Sequence, residues 1–360
     1  MAHRADTLSK PLTVAVVGAT GAVGKEMLAV LADRSFPVGT LRPMASGRSA
    51  GQPVECGGRS WTIEALPESS AIGAETFAGC DVVLLAVSKE LAMAVAPAAV
   101  AAGAVVVDNS SAFRMDPSTP LVVPEVNPEA LEPCRAARAC GEGCLVANPN
   151  CSTILALVAV TPIHRLARVT RMVVATYQAA SGAGMEAMRE LESQARSFAQ
   201  GDGHEAWDTR HFGRPYLFNV FSHDSAVGRD GMNEEERKLV LETRRIWADE
   251  SVGVSATCVR VPVLRAHSEA INLTLERSCT LEEVRAALAS APGVRVVDDP
   301  ARNQFPEPRL ASGRDETLVG RIRMDASQPE GRGVSLFIAG DQLRKGAALN
   351  AVQIAEWVIR

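Results

Sequence analysis

Leu12-Thr13-Val14-Ala15-Val16-Val17-Gly18-Ala19-Thr20-Gly21-Ala22-Val23-Gly24 is the stretch from which the fold of this chain is read. It begins as an apolar run of strand length, continues into glycines at GxxGxxG spacing, and is followed by residues 25–32, which read as a helix. Strand, glycine turn and helix open a dinucleotide-binding unit, in which small residues let the backbone approach a diphosphate and the helix N-terminus offers unpaired N–H groups. Glycines also serve ordinary turns, and the spacing departs from GxGxxG. The flanking strand and helix favour phosphate cradling by Gly18, Thr20, Gly21, Ala22, Val23 and Gly24.

Outward from that unit, the next strand should end near Met44 and Ala45, where an NAD site would place an acidic residue against the ribose hydroxyls. Here the chain reads Ser46-Gly47-Arg48-Ser49. Hydroxyls and a guanidinium at Ser46, Arg48 and Ser49 suit a ribose 2′-phosphate, which favours NADP; a solvated loop with one surface arginine is the alternative at this point. Residues 80–87 and 104–108 read as further buried strands, with a helix over 91–102 that Pro97 would kink or divide. Alternating strands and helices predict a Rossmann-like, doubly wound, mostly parallel sheet.

Beyond Ala147 the pattern changes. Residues 168–177, 252–263, 270–276 and 334–339 read as strands, and 185–198, 234–248 and 281–289 as helices. Asn233 with Glu236 and Thr280 with Glu283 have capping-box spacing. The expected second domain is α+β, a mixed sheet with helices on one face, of the kind that makes subunit contacts. Residues 201–231 lack periodicity and read as a long surface or interface loop; their histidines, 204, 211 and 223, lack metal-ligand spacing. Residues 347–359 form an apolar helix suited to docking back on a domain face. The boundaries are thus 1–148 with 343–360 for the nucleotide-binding domain and 149–342 for the catalytic and dimerisation domain.

With 360 residues, 47% of them hydrophobic, the chain has ample core for about two domains, and a net charge of -5 argues against a nucleic-acid partner. No apolar segment is long enough to span a bilayer, and residues 1–12 lack the apolar core of an export signal, which points to a cytoplasmic protein. Its eight cysteines should then be reduced. Cys134, Cys140, Cys144 and Cys151 crowd together without a CxxC pair or a histidine, a poor match to zinc, and no metal is expected.

Cys151 is the candidate nucleophile, with a packed core cysteine as the alternative at this point. Asn148-Pro149-Asn150-Cys151-Ser152-Thr153 follows the short apolar segment 145–147 and precedes a helical pattern, which puts the thiol at the first turn of a helix, where the dipole and unpaired N–H groups favour a thiolate. A thiolate beside a nicotinamide suggests oxidation or reduction at the acyl level, for which His267, just after a strand, is the candidate acid/base.

Together the glycine signature, Asp108-Asn109-Ser110-Ser111-Ala112-Phe113-Arg114, Val122-Val123-Pro124-Glu125-Val126-Asn127, the cysteine motif, Gln178-Ala179-Ala180-Ser181-Gly182-Ala183-Gly184 and the segment from Arg260 to His267 resemble the aspartate-semialdehyde dehydrogenase family, over residues 12–357. The resemblance implies NADPH-dependent reductive dephosphorylation of L-aspartyl 4-phosphate to L-aspartate 4-semialdehyde, in lysine, methionine and threonine biosynthesis, by a homodimer or dimer of dimers. By motif it makes Cys151 the nucleophile, His267 the acid/base and Gln178 the residue that orients the acyl group. Arg260 would clamp the α-carboxylate, Glu235 meet the ammonium, and Lys238 and Arg114 bind phosphate. Ser181, Gly182 and Asn350 match positions near the cofactor. Rival readings are a sibling reductase of N-acetylglutamyl phosphate, an enzyme like glyceraldehyde-3-phosphate dehydrogenase, whose acidic ribose anchor is missing here, and a silent NADP-binding redox sensor.

Overall fold

A computed structural model describes residues 10–360; the first nine, on which the expectation about an export signal falls, lie outside the described residues. The chain divides into two units, Met1–Pro149 with Ala347–Arg360, and Asn150–Gly346.

In the first unit β1 (Leu12–Val17) leads through the glycine turn into α1 (Ala22–Asp33), and β2 (Val38–Ala45) follows. A hairpin, β3 (Pro53–Cys56) and β4 (Arg59–Thr62), turns on Gly57 and Gly58, both at positive φ, and precedes the short β5 (Glu64–Ala65). Then come β6 (Val82–Leu85), α2 (Lys89–Ala101), β7 (Val105–Asp108), α3 (Glu132–Ala139) and β8 (Cys144–Ala147). The sheet is parallel throughout, in the order β5-β2-β1-β6-β7-β8. Val82-Val83-Leu84-Leu85 and Val105-Val106-Val107 are wholly buried, so both faces need covering. One face packs on Met27, Val30 and Leu31 of α1, the other on Ala92, Val95 and Ala99 of α2. Pro97 does not divide α2; the missing N–H falls opposite the carbonyl of exposed Met93, where solvent can take its place.

In the second unit α4 (Cys151–Leu166) is buried on nearly every side, followed by β9 (Val169–Gln178) and α5 (Met185–Gln200). Within 201–231, read as loop, only β10 (Phe221–Ser222) is a strand; α6 (Glu234–Trp247) and β11 (Gly253–Arg260) follow. The strand expected to reach Val263 stops at Arg260, two residues before Pro262, which has no N–H for a ladder. β12 (His267–Leu275) starts earlier than its apolar pattern suggested, because its first three residues are buried and polar. α7 (Leu281–Ala289), β13 (Val294–Val296), α8 (Pro308–Ala311), β14 (Thr317–Met324) and β15 (Gly333–Gly340) complete a mixed sheet ordered β10-β11-β9-β12-β15-β14-β13. Met172, Val174, Ile271, Leu273, Leu336 and Ile338 point to one face, where α4, α6 and α7 pack.

The C-terminal helix expected from residue 347 is preceded by a π-helical turn, Arg344–Ala348, and continues as α9 (Leu349–Ile359). Residues 343–346 cluster with the second unit: the Leu343 and Arg344 amides donate to Asp341. α9 buries Val352, Ile354 and Ala355 in the core of the first.

Candidate active site

The glycine turn is built for close approach. Gly18 has φ +86°, and a β-carbon there would fall 2.2 Å from the Ala86 carbonyl oxygen; one on Gly24 would fall 2.1 Å from the Gly18 oxygen. The amides of Gly18 and Ala19 donate to the Met44 oxygen at 2.8 and 3.2 Å, tying the turn to the end of β2. Gly21 caps α1 without a side-chain acceptor, so the first-turn N–H groups of Ala22, Val23 and Gly24 have no partner within the helix. Ser46 and Arg48 are exposed and Ser49 is half-buried, in a short 3₁₀ turn directly after β2. A nucleotide diphosphate fits this donor set, and residues 46–49, which follow β2 directly, include no carboxylate.

At the ends of β7 and β8 in the same unit, Arg114 is buried and donates through Nε to the Asn148 carbonyl at 2.9 Å and through Nη2 to the Asn109 carbonyl at 2.8 Å. Asn350 donates to the Val122 oxygen at 2.9 Å and to Asn148 Oδ1 at 2.7 Å. Both residues therefore brace the chain that leads to the thiol.

In the second unit Cys151 occupies the first position of α4. Asn150 is the cap: its Oδ1 accepts from the amides of Ser152 and Thr153 at 3.0 and 3.2 Å. Its Nδ2 donates to Glu235 Oε1 at 2.7 Å and its backbone amide to Glu242 at 2.6 Å. On the other side of the thiol, Ser152 Oγ accepts from Gln178 Nε2 at 3.1 Å, and the same amide group lies 3.2 Å from Glu235 Oε1. The neighbours of Cys151 are thus fixed to two carboxylates and one amide. A β-carbon on Gly346 would lie 2.9 Å from Cys151 Cβ, so the π-helical turn is glycine where it passes the thiol.

Gln178 ends β9 beside Arg260, the last residue of β11, whose Nη1 donates to Gln178 Oε1 at 3.4 Å. His267 opens the neighbouring β12. Its Nδ1 accepts from the Ala179 amide at 3.0 Å, which leaves the ring proton on Nε2, and Nε2 is buried without a protein partner. Burial, then the Arg260 charge, lower its pKa to about 3, so the ring is neutral. A β-carbon on Gly182 would lie 2.8 Å from His267 Nε2 and 3.1 Å from Arg260 Nη1; both groups face the space this glycine leaves open. Glu235 and Lys238 form an ion pair at 3.0 Å on one face of α6. Burial pushes the Glu235 carboxyl up, but Lys238, His223 and hydrogen bonds from Asn150 and Lys238 bring it down to about 2. The site therefore offers a thiol, a neutral imidazole N–H, a buried carboxylate and two cations within one unit.

Two family descriptions match the chain: "Semialdehyde dehydrogenase, NAD binding domain" over residues 13–133 and "Semialdehyde dehydrogenase, dimerisation domain" over residues 160–345. Aspartate-semialdehyde dehydrogenase of Synechocystis sp. is 48% identical over 98% of each chain, and that of Bacillus subtilis 41% over 97% of this chain and 98% of the relative. The crystal structure of aspartate semialdehyde dehydrogenase II of Vibrio cholerae complexed with ASA covers 98% of this chain and 99% of its own, with a TM-score of 0.89 at 38% identity. The chain belongs to the aspartate-semialdehyde dehydrogenase family.

In this family member Cys151, Gln178, Glu235, Lys238, Arg260 and His267, picked out by motif, lie in one unit with the exposed Gly182, and all six are at least half-buried around the network described. Ser181, expected near the cofactor, accepts a hydrogen bond from Gln342, which also holds the Ala266 amide at 3.0 Å and so steadies the approach to His267. Sequence reasoning missed Asp224, which pairs with Arg260 Nε at 2.8 Å, and Tyr216, whose hydroxyl donates to the Val261 oxygen at 2.6 Å. Both come from the stretch read as a long surface or interface loop. The buried Tyr216 shows that part of it is a wall of the site.

Proposed function

We propose that this chain is an NADP-dependent aspartate-semialdehyde dehydrogenase, converting L-aspartyl 4-phosphate to L-aspartate 4-semialdehyde and phosphate through a thioester on Cys151, in the biosynthesis of lysine, methionine and threonine. The observation that carries this reading is the bracketing of Cys151: Asn150 and Ser152 are tied to Glu235 and Gln178, whose amide also meets Arg260. Ser46, Arg48 and Ser49, with no acidic residue after β2, support NADP over NAD.

The substrate's α-carboxylate is met by Arg260, already oriented by Asp224, and its ammonium by the Glu235 carboxylate. Lys238 and Arg114 are the phosphate ligands. The Cys151 thiolate attacks the acyl carbon; the new C–S bond forms as the bond from carbon to the phosphate oxygen breaks, and the departing phosphate takes one proton from solvent. The glycine turn of Gly18, Gly21 and Gly24 would hold NADPH, which would supply the hydride that reduces the thioester. The oxyanion so formed is met by the neutral His267 Nε2–H, and its collapse re-forms the carbonyl and returns Cys151 as thiolate, so no proton need leave the imidazole. His267 thus acts as a hydrogen-bond donor where the sequence suggested an acid/base. The family's dimerisation domain supports a homodimer, and the absence, among the described residues, of a helix long and apolar enough to cross a membrane supports a cytoplasmic enzyme.

The direct test follows NADPH formation from L-aspartate semialdehyde, with NAD in parallel. Rapid, phosphate-dependent formation with NADP supports the reading. Folded protein that binds NADP but does not turn over would remove it.

A further inference from the structure

Behind the row formed by Arg260, Gln178 and His267 lies a second row on the same face of the sheet: Cys258 and Glu269 are both in register with Thr176. Glu269 is fully buried, and neither of its carboxyl oxygens has a hydrogen-bond partner in the protein. Glu235 is its opposite: Oε1 accepts from Asn150 and Gln178, and Oε2 from Lys238. Gln178 Nε2 lies 3.2 Å from Glu235 Oε1 and 3.3 Å from the hydroxyl of Thr176, the residue in register with Glu269, so one amide stands between the two rows. A buried carboxylate without donors is far costlier than a buried neutral acid, and a second negative charge beside Glu235 would be repelled.

We propose that Glu269 is a positioning residue: it remains a neutral acid beneath the reactive row, and by staying uncharged it keeps the negative charge on Glu235, where the substrate's ammonium binds. The role of the ammonium rests on the function proposed above; the neutrality of Glu269 does not. Burial first, and Glu235 second, push the Glu269 carboxyl well above the usual range. The titratable groups around it are Glu235 from α6, Cys258 from β11 and His267 on its own strand. Across the ladders it meets Thr176 and Ile338, and the packed side of α4 offers Leu155, Ala156 and Ala159, none of which titrates.

The sign of the linkage gives the test. An acid whose folded pKa is raised costs no stability below its unfolded value of about 4.3, and a growing amount as pH rises from there towards the folded value. Glu269→Gln copies the neutral acid, so its urea midpoint should exceed that of the parent at pH 8, with the gap closing as pH falls to about 4. In a Glu235→Gln background the gap should shrink, because the repelling charge is gone. The alkaline fall in kcat/KM of the parent, about tenfold per pH unit once Glu269 ionises, should be absent in Glu269→Gln. If Glu269→Gln does not fold, infrared spectra of the parent and of Glu235→Gln decide: the carboxylic-acid band should persist to higher pH in the parent. A variant less stable than the parent at pH 8 and pH 4 alike, or an acid band unmoved by Glu235→Gln, would overturn the proposal. Comparing KM for L-aspartate semialdehyde and for its analogue without the amine in Glu235→Gln tests the ammonium contact separately: only the first should rise.

Discussion

At the scale of single residues, Gly182 acts through what it lacks. Its missing side chain leaves the space between His267 Nε2 and Arg260 Nη1. Gly182→Ala should lower kcat/KM on the order of a hundredfold, the effect of a displacement of about 1 Å at a reacting centre, with the fold intact by circular dichroism. Steady-state kinetics within a few-fold of the parent would show that the space is not used. His267 makes a second prediction. Its folded pKa is lowered from 6.5 to about 3, so between those values the unfolded chain takes a proton that the folded one refuses; His267 costs stability as pH falls through that window and nothing above it. Nitrogen NMR at pH 5 should find a neutral ring protonated on Nε2, and an imidazolium there would contradict the site geometry. The place of Cys151 at the first turn of a helix was legible in the sequence from the apolar segment before it and the helical pattern after it, whereas Gln178, Glu235, Arg260 and the role of His267 came through the family's motifs. Asp224 was not: its partner Arg260 lies 36 residues away, across a stretch with no periodic signal.

At the scale of elements, the strand and helix run around the glycine turn was legible because burial on both faces leaves near-continuous apolar strands. β12 was harder to read, because its first residues are polar and buried at the site, the place where an apolar pattern fails. α4 is the element on which the chemistry depends, and its cap has two tasks. Asn150 receives the first-turn amides and also holds Glu235. Asn150→Ala should cost about 1 kcal/mol from the cap alone, read as a lower urea midpoint, and should lower kcat as well, since Glu235 loses a donor. Asn150→Asp keeps the cap acceptor but sets a negative charge against Glu235, so it should be the worse of the two for KM; equal kinetics in both would separate the cap from the site.

At the scale of the whole molecule, the chain passes from one unit to the other at Pro149 and Asn150 and returns at Gly346 and Ala347, which puts the thiol and the π-helical turn at the crossings. The outer face of the second sheet is only partly covered: Tyr177 is 37% exposed and its ring lies tilted, 6.2 Å from that of Phe337, beside Ala270 in the central strand. A charge there should break a dimer formed through this face. Ala270→Arg should sediment nearer the 38.1 kDa chain mass than twice that value, and an undisturbed dimer would place the contact elsewhere. A sheet with helices on one face only was expected from the sequence, but the register of β12 was not legible there, because its first residues are polar and buried.

The central claim is the covalent route through Cys151. Protein mixed with L-aspartate semialdehyde and NADP but no phosphate should form a thioester that has no acceptor but water, so acid quenching and peptide mass spectrometry should find an aspartyl group on the Cys151 peptide. Added phosphate should remove it, and Cys151→Ser should never carry it, with turnover lower by orders of magnitude. Phosphate-dependent NADPH formation without that adduct, or an adduct on another cysteine, would contradict the account.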